Sequence, residues 1–215
     1  MKCDKQNMLL YAVTDRAWTG KMSLTEQVLA ALDGGITCLQ LRVKTLSDDE
    51  FLTEAKIIGK ACQKRGVPFI INDNVKVALA CGADGIHVGQ EDMAAKDVRA
   101  LVGNDMIIGV SVHTVEEAVK AERDGADYLG LGAVFHTDTK GDAEDMTADM
   151  LRAICDAVSI PTVAIGGISA KNVEKLTGSG VDGIAVVSAI FAAEDPKKAA
   201  EELLACSKAM VLATS

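Results

Sequence analysis

Cys81-Gly82-Ala83-Asp84-Gly85-Ile86-His87-Val88 decides the fold, because the chain repeats its plan. Asp124-Gly125-Ala126-Asp127-Tyr128-Leu129-Gly130-Leu131 and Gly178-Ser179-Gly180-Val181-Asp182-Gly183-Ile184-Ala185-Val186 are built the same way. Each ends a helix with glycine, which adopts the left-handed stop without a Cβ clash. Each then enters an apolar strand through Asp-Gly or Asp-Tyr. Such near-continuous apolar strands belong to a parallel sheet covered on both faces.

Outward from these repeats, short β-rich runs alternate with helical stretches along the whole chain. The strand candidates are 9–13, 38–41, 68–71, 85–88, 107–110, 128–131, 162–165 and 183–186. The helix candidates are 23–33, 48–64, 75–80, 94–101, 115–123, 148–157, 170–177 and 196–209. Val115, Ala118 and Val119 show the i, i+3, i+4 face of an amphipathic helix. Strict alternation of this kind in 215 residues predicts a (β/α)8 TIM barrel over an open doubly wound sheet. No Pro/Gly/Ser linker, charge block or low-complexity run divides the chain, so residues 1–215 read as one barrel domain.

Composition narrows the function. Aromatic residues make up 3% of the chain, too few for the stacking platforms of single-strand nucleic-acid binding. A formal charge of −9 opposes nucleic acid further, because its affinity comes from cations neutralising phosphates. A small anionic substrate stays open, since a few basic residues inside a pocket outweigh screened acids outside it. The six cysteines, Cys3, Cys38, Cys62, Cys81, Cys155 and Cys206, form no CxxC pair and fit buried reduced thiols. The N-terminus has no apolar signal region, and no apolar run reaches the roughly 18 residues of a membrane span. A soluble cytoplasmic protein is expected.

In barrels of this class chemistry sits where strands end and loops begin, and the opposite rim serves stability. Asp84, Asp127 and Asp182 precede strands and are therefore read as structural. Ile71-Asn72-Asp73-Asn74 and Gly89-Gln90-Glu91-Asp92 follow strands. Singly, Asp73 and Asp92 fit helix N-caps; together they offer two hard oxygen ligands suited to Mg²⁺ with several waters and a bound polyphosphate. Gln40, Arg42 and Lys44 alternate onto one side after the second strand, and two cations there imply an anionic partner. Ser111 follows the fifth strand, with His113 beside it at the start of a helix. After the sixth strand, Thr137, Thr139 and Lys140 form a hydroxyl-rich loop with one cation, and His136 in that loop has no evident partner. Gly166 and Gly167 after the seventh strand, with Val187 and Ser188 after the eighth, resemble a phosphate cradle. His87 reads as a packed histidine satisfied by a neighbour. No Ser-His-Asp triad and no dinucleotide fingerprint is present. The set suggests departure of a pyrophosphate, with a second substrate held by its monophosphate.

In this order, Q-L-R-x-K, I-N-D-N, G-I-H-V-G-Q-E-D, T-x-T-K, G-G-I and V-S-A-I resemble the thiamine-phosphate synthase family, beginning at L-Y-A-V-T-D-R. The resemblance implies coupling of hydroxymethylpyrimidine diphosphate with a thiazole phosphate, giving thiamine phosphate and pyrophosphate. It implies Asp73 and Asp92 on Mg²⁺, and Arg42, Lys44, Asn72, Ser111 and Lys140 on the pyrophosphate. Gln40, Thr137 and Thr139 would line the pyrimidine and thiazole pockets, while Gly167, Val187 and Ser188 would hold the thiazole phosphate. A dissociative displacement needs no protein nucleophile. The chain departs from the family pattern at Val43, where an acid is common, and at Ala133 and His136, where prolines are usual. A thiazole tautomerase of the same fold or a non-catalytic sensor of phosphorylated precursors would each dispense with part of the Asp73, Asp92 and Lys140 set.

Overall fold

Strands β1 (Leu10–Val13), β2 (Cys38–Leu41), β3 (Phe69–Asn72), β4 (Gly85–Val88), β5 (Ile107–Val112), β6 (Tyr128–Leu131), β7 (Thr162–Ile165) and β8 (Ile184–Val186) pair in parallel and in chain order. The register Tyr11↔Ala185 between β1 and β8 closes the sheet into a barrel. The computed structural model describes residues 3–135 and 146–213. Around the barrel run α2 (Leu24–Asp33), α3 (Asp48–Arg65), α4 (Val75–Cys81), α5 (Ala95–Val102), α6 (Val115–Arg123), α7 (Ala148–Ala157) and α9 (Pro196–Leu212). Two short helices, α1 (Lys5–Met8) and α8 (Ser188–Phe191), precede β1 and follow β8. This is the expected (β/α)8 barrel.

Strand alternation separates two cores. Tyr11, Ile70, Ile107, Tyr128, Val163 and Ala185 pack together in the lumen, with Met8 of α1 joining them. Their neighbours Leu10, Leu39, Ile71, Ile86, Leu129 and Ile184 face the helices and belong to the outer core. Period-2 side-chain placement makes both sets from continuous apolar strands.

The repeated motif has a mechanical purpose at the N-terminal rim. Asp84 Oδ2 accepts the Phe69 N–H at 2.8 Å, Asp127 Oδ2 that of Ile108 at 2.8 Å, and Asp182 Oδ2 that of Thr162 at 2.9 Å. Thr37 Oγ1 accepts the Leu10 N–H at 2.8 Å in the corresponding place before β2. The backbone returns a bond each time, from the amides of Thr37, Asp84, Asp127 and Asp182 to the carbonyls of those same partners. A residue one or two places before each even-numbered strand thus pins the start of the odd-numbered strand beside it. Gly82 at φ 68° is the left-handed stop of α4 that lets Asp84 reach its position.

Helix starts follow the local chemistry. Ser23 with Glu26 and Ser47 with Glu50 form reciprocal capping boxes at α2 and α3. The expected helix at 170–177 is corrected to a 3-10 turn, Val173–Leu176. Asn172 is the reason: its side chain accepts from Ser169 N–H and donates to the Gly167 carbonyl, each at 2.8 Å, so the would-be first turn is bound into the loop. Helix α1 went unanticipated, although Asp4 and Asn7 cap it reciprocally. Among the described residues no helix is long and apolar enough to cross a membrane. The six cysteines are free thiols.

Candidate active site

At the C-terminal ends of the strands the lumen opens into a cavity. Its wall includes Gln40, Arg42, Asn72, Ser111, Gly167, Val187 and Ser188, contributed by five of the strands and the loops that follow them. Residues far apart in sequence are brought to one mouth because each strand delivers its last inward side chain there.

Arg42 is held from two sides. Its N–H donates to the buried Thr14 Oγ1 at 3.0 Å, and Thr14 Oγ1 donates back to the Arg42 carbonyl at 3.4 Å. Asp15 Oδ2 stands 3.6 Å from Arg42 Nη1. That separation is long for a hydrogen bond, so Asp15 orients the guanidinium and leaves its donors directed elsewhere. The adjacent Arg16 makes a two-pronged contact with Glu54 on α3, at 2.7 and 2.8 Å, which anchors the loop. Lys44 lies past the end of β2 and is exposed; unlike Gln40 and Arg42 it is not part of the cavity wall. Val43 packs on the outer core, away from the cavity.

Asp73 and Asp92 lie in the loops after β3 and β4, and neither is part of the cavity wall. Asp73 has φ 60°, a left-handed conformation uncommon outside glycine, and its N–H donates to the His87 carbonyl at 2.9 Å. Asn72 Nδ2 donates to Asp73 Oδ2 at 2.5 Å, and Gly89 N–H donates to Asp92 Oδ2 at 2.8 Å. The Asp92 carboxyl lies close enough to that of Asp73 to act on its ionisation. Partial desolvation, then the nearness and repulsion of Asp92, push Asp73 up to about 6, against the smaller pull of Asn72 and Arg42. Neither acid caps a helix. Asn74 caps α4 through Val77 N–H at 3.0 Å, and α5 starts at Ala94 without a side-chain cap. The capping reading of these two aspartates is therefore wrong.

Across the mouth, Gly166 at φ 108° and Gly167 at φ 62° turn the chain after β7 beside the start of α8. A Cβ on Gly166 would come within 2.6 Å of the Ala133 Cβ, so glycine is required for the close passage of these two loops. His113 also lines the cavity, and its N–H donates to Glu117 Oε2 at 2.7 Å as α6 begins. His87 is buried, as expected of a packed histidine. Thr137, Thr139, Lys140 and His136 lie outside the described residues.

Three contributors escaped the sequence reading. Thr14 and Asp15 follow β1 and meet the same rim rule that found the others. Gln90 donates from Nε2 to the Ser111 carbonyl at 2.6 Å, tying the loop after β4 to the end of β5, a pairing with no sequence signature.

A family model described as thiamine monophosphate synthase matches residues 10–190. The chain belongs to that family. Thiamine-phosphate synthase of Clostridium tetani is 51% identical over 194 residues, covering 90% of this chain and 93% of the relative. The protein of the same description from Pyrococcus abyssi is 46% identical over 199 residues, covering 93% and 94%. Among solved structures, thiamine phosphate pyrophosphorylase from Pyrococcus furiosus superposes with a TM-score of 0.89 at 40% identity, covering 96% of this chain and 98% of the other. As a member of the thiamine monophosphate synthase family the chain is a transferase of thiamine biosynthesis.

Proposed function

We propose that the chain, acting over residues 1–215 as one cytoplasmic catalytic barrel, joins hydroxymethylpyrimidine diphosphate to thiazole phosphate, releasing thiamine phosphate and pyrophosphate. The observation that carries this reading is the division of the mouth: Arg42, Asn72 and Ser111 on one side, with an acid pair in the loops after β3 and β4, and the glycine turn with Val187 and Ser188 on the other. Two separated anion sites suit one substrate that leaves as pyrophosphate and another anchored by its monophosphate.

Asp73 and Asp92 fit a magnesium ion. Two neighbouring carboxyl groups, one of them pushed up to about 6 in part by the other, would gain from a cation held between them. Among the described residues no group of three or more His, Cys, Asp or Glu side chains gathers, so the other ligands of such an ion would have to be waters and substrate phosphate oxygens. When bound, Mg²⁺ would neutralise charge on the departing pyrophosphate.

The chain's own residues perform the remaining steps. Arg42, Asn72, Ser111, Lys44 and Lys140 hold the pyrophosphate oxygens, and their donors strengthen as negative charge collects there. Lys44 reaches this group from outside the cavity wall. Gln40, with Thr137 and Thr139, orients the pyrimidine and thiazole rings. The C–O bond to pyrophosphate breaks first, leaving positive charge spread over the aminopyrimidine. The thiazole nitrogen then supplies its electron pair to the new C–N bond. Gly167, Val187 and Ser188 hold the thiazole phosphate so that this nitrogen faces the electrophilic carbon.

Asp73→Ala and Asp92→Ala, compared with wild type across a Mg²⁺ titration, test the reading. Loss of Mg²⁺-dependent turnover with an unchanged circular dichroism spectrum is expected; wild-type kinetics in either variant contradict the metal assignment.

A further inference from the structure

The lumen beneath the mouth holds a row of polar groups in which Tyr11, Tyr128 and His87 have no role in the reading above. Gln40 Nε2 donates to the Tyr11 hydroxyl at 2.9 Å, which meets the Tyr128 hydroxyl at 2.7 Å. Tyr128 meets His87 Nδ1 at 2.9 Å, and His87 Nε2 meets Ser111 Oγ at 2.9 Å. Five side chains from β2, β1, β6, β4 and β5 thus cross the barrel from one wall of the cavity to the other. Both tyrosines are fully buried. Gly109 makes the room: a Cβ there would collide with the Tyr128 ring.

The row has a direction. Gln40 Nε2 can only donate, so the Tyr11 hydroxyl accepts there and turns its proton to Tyr128. Tyr128 in turn donates to His87 Nδ1, which fixes the imidazole proton on Nε2. That proton goes to Ser111 Oγ, and the Ser111 hydroxyl proton is left for the cavity. Reversing His87 would make Tyr128 donate to Tyr11, whose own proton would then face two donors, and an unmatched buried donor is unfavourable. Burial holds both phenols well above their ordinary range, so both tyrosines stay neutral.

We propose that Tyr11, Tyr128 and His87 are positioning residues that polarise this row from Gln40 toward Ser111 and aim the Ser111 hydroxyl as a donor at an anionic ligand oxygen. The ligand half of this inference rests on the pyrophosphate reading above. The row then joins the group that orients one end of the diphosphate substrate to a group that holds its other end.

Two measurements on the full chain test it. Histidine ¹⁵N NMR of the ligand-free protein, with the His87 signal assigned by its loss in His87→Gln, is expected to show the neutral Nε2–H tautomer. A predominant Nδ1–H form overturns the polarity. Calorimetric binding of inorganic pyrophosphate with Mg²⁺ reads the coupling. Tyr128→Phe, which keeps the ring, is expected to weaken binding roughly three- to tenfold, the net worth of one neutral hydrogen bond. In a Ser111→Ala background the same substitution is expected to change nothing, because the row then has no hydroxyl to aim. Equal losses in both backgrounds would mark Tyr128 as a packing residue and overturn the inference. Wild-type pyrophosphate affinity in Ser111→Ala overturns the Ser111 assignment and the coupling with it, while the tautomer reports on the row's direction independently.

Discussion

Replacing the motif aspartates one at a time separates structure from chemistry, with an order of effects set by their partners. Asp84→Ala and Asp182→Ala each strip the acceptor from an amide of a buried residue, Phe69 or Thr162. An orphaned buried donor costs about 1–3 kcal/mol, so about 2 kcal/mol is expected for each. Asp182 also pairs with Lys5, but that lysine side chain is 66% exposed and adds little. Asp127→Ala removes the acceptor of Ile108 N–H and also the 2.5 Å partner of Arg99, whose side chain is only 19% exposed. Adding about 1 kcal/mol for that half-buried pair gives about 3 kcal/mol, between the exposed and the charge-assisted cases. For a chain of this size about 2–4 °C of melting temperature accompanies each kcal/mol. Asp127→Ala should therefore melt on the order of 10 °C lower, and Asp84→Ala and Asp182→Ala on the order of 5 °C lower. Asparagine keeps a carbonyl acceptor, so Asp84→Asn should recover most of its loss. Urea and thermal unfolding read the stabilities, while kcat/KM per folded molecule should stay at wild type. Variants of wild-type stability, or stable variants without activity, would refute the assignment of these residues to the structural rim.

Three further outcomes follow from the mouth. Asp73 is harder to ionise in the folded protein than in the unfolded chain, so its contribution to stability is fully present below about 4 and is lost as pH rises from there to about 6. In chelator, Asp73→Asn should thus gain at pH 8 and much less at pH 4, by less than about 1 kcal/mol because the rim is solvent-screened; equal melting shifts at both pH values contradict it. Asp15→Asn should weaken binding of the pyrimidine diphosphate about three- to tenfold through a misaimed Arg42, with little change in melting temperature, since the pair at 3.6 Å is too long for a hydrogen bond and asparagine keeps an acceptor for the Ala17 N–H. Gly166→Ala should raise the KM for thiazole phosphate more than that for the diphosphate, because φ 108° and the 2.6 Å approach to Ala133 force the turn to move; equal effects on the two substrates would count against separate anion sites.

The barrel was legible because its signals are local. Gly82 stops α4 at φ 68°, and the bounds of β2, β4, β6 and β7 fall where apolar runs start and end. The segment at 170–177 misled because its helical pattern says nothing of Asn172 turning back onto Gly167. At the mouth, the rule that residues after strands face the cavity found Gln40, Arg42, Asn72, Ser111 and Ser188. It also placed Lys44 beside them, although β2 ends at Leu41 and alternation no longer governs side chains beyond it. The Gln40-to-Ser111 row was invisible for a different reason. Tyr11 and Tyr128 are 117 residues apart, and only the closed register of the barrel brings their hydroxyls to 2.7 Å.

The most direct measurement is formation of thiamine phosphate by the purified chain from hydroxymethylpyrimidine diphosphate and thiazole phosphate, followed together with pyrophosphate release, with Mg²⁺ and with chelator. Equal amounts of both products in Mg²⁺, and neither in chelator, are predicted. A folded chain that binds both substrates yet yields no thiamine phosphate in Mg²⁺, or yields it undiminished in chelator, would contradict the proposed reaction or its dependence on the Asp73–Asp92 pair.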